Sequence, residues 1–88
     1  MNLSKTRREK GMKVRFKDIS QVNKFCKAAE KYDGNITVSD GSVVVDGESL
    51  MGIMTIGLHK TLDVNISDTR SASAVQFQAE VEKLGIVR

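Results

Sequence analysis

Gly47-Glu48-Ser49-Leu50-Met51-Gly52-Ile53-Met54-Thr55-Ile56-Gly57-Leu58 decides how the rest of this 88-residue chain is read. A serine stands where a helix would begin, Leu50, Met51 and Met54 follow at helical spacing, and glycines at 52 and 57 keep the helix short. The first turn of a helix leaves backbone N–H groups unpaired. A serine hydroxyl accepts from one of them, so Ser49 is the expected N-cap. The same N–H groups would also welcome a phosphate.

Upstream, Ile36 and Val38 alternate with Asn35, Thr37 and Ser39, and the tight-turn pair Asp40-Gly41 leads into Val43-Val44-Val45. These are expected to form a hairpin, which Asp46-Gly47 closes before delivering the chain to Ser49. Further upstream, Val22, Phe25, Cys26 and Ala29 fall at i, i+3, i+4 and i+7. That spacing predicts a helix capped by Ser20, with Asp18 ending the strand before it, and stopped near Tyr32 by Asp33-Gly34. From Lys13 to Asp18 the charged Lys13, Arg15 and Lys17 alternate with Val14 and Phe16, the pattern of a half-buried strand.

Downstream, Leu62, Val64 and Ile66 alternate with Asp63, Asn65 and Ser67 in a fourth strand. Asp68 or Thr69 would cap a last helix whose stripe is Ala74, Phe77, Gln78, Val81 and Leu84, ended by Gly85. The element order is therefore β-α-β-β-α-β-α. No strand lies in a long apolar run, so the sheet should be antiparallel with helices on one face and Arg15, Thr37 and Asn65 on the wet one.

The chain is long enough for one domain with a single modest core. No apolar run approaches the roughly 20 residues a membrane span needs, and the N-terminus lacks the apolar centre of a signal peptide. With the lone Cys26, this points to a reducing, cytoplasmic setting. Cys26 falls on the buried stripe and reads as an inert core thiol. The net charge of +3 resides entirely in residues 1–12, where Lys5, Arg7, Arg8 and Lys10 oppose Glu9; residues 13–88 are neutral. Residues 1–12 are thus expected to be a basic, mobile tail and residues 13–88 the folded domain. A neutral domain whose few aromatics lie mostly at core positions is not expected to bind nucleic acid.

Ser49-Leu50-Met51-Gly52-Ile53-Met54, followed by a hydroxyl residue, an aliphatic residue and Gly57, resembles the second-helix segment of HPr, the small phosphocarrier of the bacterial sugar phosphotransferase system. The element order agrees with HPr from Val14 to Leu84. The resemblance implies an α+β, HPr-like open-faced β-sandwich, with a four-stranded antiparallel sheet and three helices on one face, in a cytoplasmic monomer. In many Gram-positive members the serine of this segment is the target of a regulatory kinase, which would make Ser49 a seryl switch. Here Glu48 places a like charge beside it, where family members often carry lysine. In HPr the exposed side of this helix meets Enzyme I, sugar-specific permease domains, the kinase and a transcriptional regulator. Glu48, Leu50, Met51 and Met54 are therefore the candidate partner-binding residues, with Leu50 and one methionine expected to be partly buried.

HPr carries its phosphoryl group on a histidine in a Gly-Leu-His-x-Arg-Pro loop at the start of the first helix. The matching region here, Lys17-Asp18-Ile19-Ser20-Gln21-Val22, is apparently shortened and holds no histidine, arginine or proline. Asp18 would need a metal site of several carboxylates to serve instead, and a phosphoserine at Ser20 is too stable to pass its group on. His59, the only histidine, is expected in a surface turn away from the start of the first helix, with no acid or second ligand to give it catalytic or metal chemistry. The expectation is a non-catalytic regulatory or protein-binding module without cofactor or metal. The alternative is a structural or assembly protein that uses the same scaffold for an unrelated partner.

Overall fold

The computed structural model describes residues 10–67 and 71–88. Its elements run β1 (Lys10–Arg15), α1 (Ile19–Glu30), β2 (Ile36–Asp40), β3 (Val43–Asp46), α2 (Leu50–Ile56), β4 (Thr61–Ile66) and α3 (Ala72–Lys83). The strands form one sheet in the order β1-β4-β2-β3, every neighbour antiparallel. It is the open-faced α+β sandwich that the alternation implies.

Register explains which side chains face the helices. Val14 lies opposite Leu62, and Val64 stands between Met12 and Val38, so one face is continuously apolar. Val14, Val38, Leu62, Val64 and Ile66 are fully buried there beneath Val22, Phe25, Ile53, Ala74, Phe77 and Val81 of the helices. Phe25 is the centre, with its ring edge-on to Phe16 at 5.3 Å and to Phe77 at 5.5 Å. The other face carries Thr37 opposite Asn65 and Lys13 opposite Asp63, the latter pair joined at 2.6 Å.

Several boundaries differ from the sequence reading. β1 begins at Lys10 rather than Lys13, because Gly11 pairs with Asn65 without contributing a side chain to the alternation. The remainder of the expected tail, residues 1–9, lies outside the described residues. α1 is capped by Asp18, whose Oδ1 accepts from Gln21 N–H at 3.0 Å; Ser20 lies inside the first turn. Both residue types cap well, and Gln21 decides between them by accepting from Lys17 N–H at 2.9 Å, which holds the entry from both sides. The first helix ends at Glu30, a little before Tyr32. Asp68 and Thr69 lie outside the described residues; the N-cap of α3 is Ser71, which accepts from Ala74 N–H at 3.1 Å.

One element went unforeseen. After Gly85 (φ 73) the chain turns back, Arg15 N–H donates to Ile86 O at 2.9 Å and Arg88 N–H to Lys13 O at 2.8 Å. Residues 86–88 thereby cover the outer edge of β1, and Ile86 is fully buried.

Candidate functional site

The hairpin end fixes where α2 starts. Gly47 N–H donates to Ile36 O at 2.8 Å, Ser49 N–H to Asp46 O at 3.0 Å, and Glu48 N–H to the Asp46 carboxylate at 2.9 Å. Ser49 is thus delivered in an extended conformation, and its Oγ accepts from Gly52 N–H at 3.0 Å. A Cβ on Gly52 would stand 2.8 Å from that Oγ and 3.1 Å from Val45 Cβ. The missing side chain at 52 therefore lets the helix both keep its cap and lie on β3.

On α2, Ile53 and Ile56 turn inward and carry the buried stripe, a role that the Leu-Met-Met spacing alone did not reveal. Leu50 and Met54 are partly buried against the core. Met51 is 80% exposed, the most exposed of the large apolar side chains among the described residues. Glu48 is exposed beside it. Of the expected partner-binding residues, two therefore face solvent and two sit at the rim of the core. Met51 thus stands as an exposed apolar side chain in the first turn of a short helix capped by Ser49.

The second region is the entrance to α1. His59 N–H donates to Phe16 O at 2.8 Å, and His59 adopts a left-handed conformation with φ 64. The expectation that this turn lies away from the first helix is therefore wrong. The reason is topological: β4 is the sheet neighbour of β1, with Thr61 opposite Arg15, so the turn feeding β4 abuts the chain leaving β1. His59 is exposed, the Asp18 carboxylate caps α1 two residues after Phe16, and Lys60 is tied to Asp40 at 2.6 Å. Among the described residues, no three of His, Cys, Asp and Glu are grouped to hold a metal ion. No described helix is long and apolar enough to cross a membrane.

Cys26 is 4% exposed. Burial raises its pKa first, and the carboxylates of Glu30, Glu48 and Asp46 raise it further. It stays a protonated thiol, without the thiolate character that nucleophilic or redox chemistry requires.

The family model described as the PTS HPr component phosphorylation site matches residues 7–84. No curated protein matches the chain. Among solved structures, HPr-C-His from Thermoanaerobacter tengcongensis is similar with a TM-score of 0.62 at 22% identity, over 86% of this chain and 88% of that one. The phosphocarrier protein HPr from Bacillus anthracis str. Ames is similar with a TM-score of 0.64 at 15% identity, over 91% of this chain and 98% of that one. At these identities the two structures speak for the fold; the family rests on the match of the model.

Proposed function

We propose, from the premise that this chain belongs to the HPr family of the phosphotransferase system, that it is a non-catalytic regulatory module that docks proteins of that system without carrying their phosphoryl group. The observation that carries the reading is Met51, 80% exposed next to the capped Ser49 on a helix whose other apolar side chains are buried or partly buried. A flexible thioether suits a surface that meets more than one partner. Leu50 and Met54 would extend the contact from the rim, and Glu48 would add charge selection. The sequence from Lys17 to Val22 offers no imidazole at the family's acceptor position.

Met51→Asp is expected to weaken binding to purified Enzyme I by about tenfold or more, the loss typical of a central apolar anchor. Because Met51 is exposed, the melting temperature should stay within a degree or two. Titration calorimetry and thermal scans read both quantities. Unchanged affinity would remove the docking surface from α2.

Ser49 is the proposed seryl switch. Ser49→Ala should abolish labelling by the regulatory seryl kinase with ATP and should cost about 1 kcal/mol, because Gly52 N–H loses its acceptor. Kinase labelling that is absent from the wild type as well would leave Ser49 with the cap alone.

A second reading, phosphoryl acceptance on His59, is favoured by one observation: its backbone bond to Phe16 sets the only histidine beside the entrance to α1. Against it stands Asp18, whose carboxylate already occupies the helix cap and repels an incoming anion.

A further inference from the structure

We propose that the groove between α1 and α3 is a docking site for an acidic amphipathic helix of a partner protein. The groove encloses about 220 Å³ and is lined by Lys24, Lys27, Ala28, Lys31, Glu80 and Leu84. It lies on a different pair of helices from the α2 surface and does not depend on that surface being used.

The lining divides into a charged row and an apolar floor. Lys24, Lys27 and Lys31 stand at i, i+3 and i+7 of one helix, so their ammonium groups follow one side of α1 over about 10 Å. Ala28 is buried and Leu84 is packed against the core, which gives an apolar floor between the two helices. Among the described residues, Lys24 and Lys27 have no ion-pair partner. Lys31 reaches Glu80 at 3.4 Å in an exposed pair, which contributes little and exchanges readily for another carboxylate.

Charge complementarity selects the occupant. A helix with carboxylates at i, i+3 and i+7 presents them at the same rise as the three lysines, and leucines one turn away would cover Ala28 and Leu84. The narrow apolar floor and the Glu80 carboxylate in the wall do not suit a uniform polyanion such as a nucleic acid backbone, and no aromatic side chain lines the groove to stack on bases.

The test uses the full chain, labelled with nitrogen-15, and a synthetic amphipathic peptide of Glu and Leu with that spacing. Amide shifts are expected to move at Lys24, Ala28, Lys31 and Leu84, and not at Met51. Lys24→Glu combined with Lys27→Glu should weaken the peptide by about tenfold or more. Both lysines are exposed, and an unchanged circular dichroism spectrum would certify the fold. Met51→Asp should leave this peptide's affinity as it is, which separates failure here from failure of the α2 surface. The proposal is overturned if the double variant binds equally well, if a peptide with Gln in place of Glu binds as tightly, or if the groove responds to phosphatidylglycerol vesicles and not to the peptide.

Discussion

Phe25→Ala is expected to remove about 3–5 kcal/mol of folding stability, a large part of the roughly 5–15 kcal/mol that a domain possesses. Phe25 is fully buried, and its ring is the shared member of two edge-on contacts, to Phe16 from the end of β1 and to Phe77 from α3. Truncation leaves a cavity at the point where α1, α3 and the sheet meet, and it removes aromatic contacts of about 0.5–1.5 kcal/mol each beyond the area buried. The loss should lower the melting temperature by more than about 10 °C. A loss below about 1 kcal/mol in urea titration would mean that the core is not centred on this ring.

Gly47→Ala should also be strongly damaging, and it acts on the site itself. A Cβ at position 47 would lie 2.6 Å from Ile36 Cγ2, 3.0 Å from Ile36 Cβ and 3.1 Å from Ile36 O. Ile36 is buried in β2 and accepts the Gly47 N–H, so it cannot move without opening the hairpin end. Relief requires displacement of the segment that delivers Ser49 to α2. The expected cost is about 1–3 kcal/mol, the range for overpacking. Hydrogen exchange at the Gly52 amide should quicken as the cap loosens, a response that a simple global loss of stability would not confine to α2. Equal exchange at Gly52 in both proteins would show that the helix start is fixed elsewhere.

Much of this architecture was legible because the relevant signals are local and periodic. The stripe Val22, Phe25, Cys26 and Ala29 is buried as its spacing predicts, and so is the alternation Leu62, Val64 and Ile66. The cap at Ser49 was legible for the same reason: one hydroxyl, one free N–H, three residues apart. Features that depend on where strands meet were not. The position of His59 follows from β4 lying beside β1, a pairing that no local pattern around residues 57–60 contains. Residues 86–88 are too few to show a period, and their pairing along β1 depends on the whole of α3 returning the chain to that edge. The choice between Asp18 and Ser20 turned on the Gln21 side chain, which any capping preference taken one residue at a time passes over.

The α2 surface and the α1 entrance ask different things of the same fold. Docking through Met51 needs an exposed apolar group on a fixed helix, and the cap at Ser49 with the close approach at Gly52 supplies that. Carrying phosphate needs an imidazole, free N–H donors and a cation converging on one point. At the entrance to α1 the Asp18 carboxylate holds the Gln21 N–H, and the Lys60 ammonium is engaged by Asp40.

The most direct measurement is incubation of the full chain with Enzyme I and phosphoenolpyruvate labelled in its phosphoryl group, followed by acid treatment. The expected result is binding to Enzyme I with no acid-labile label on the chain. An acid-labile adduct that disappears in His59→Ala would contradict the account and make the turn before β4 the seat of a working phosphocarrier.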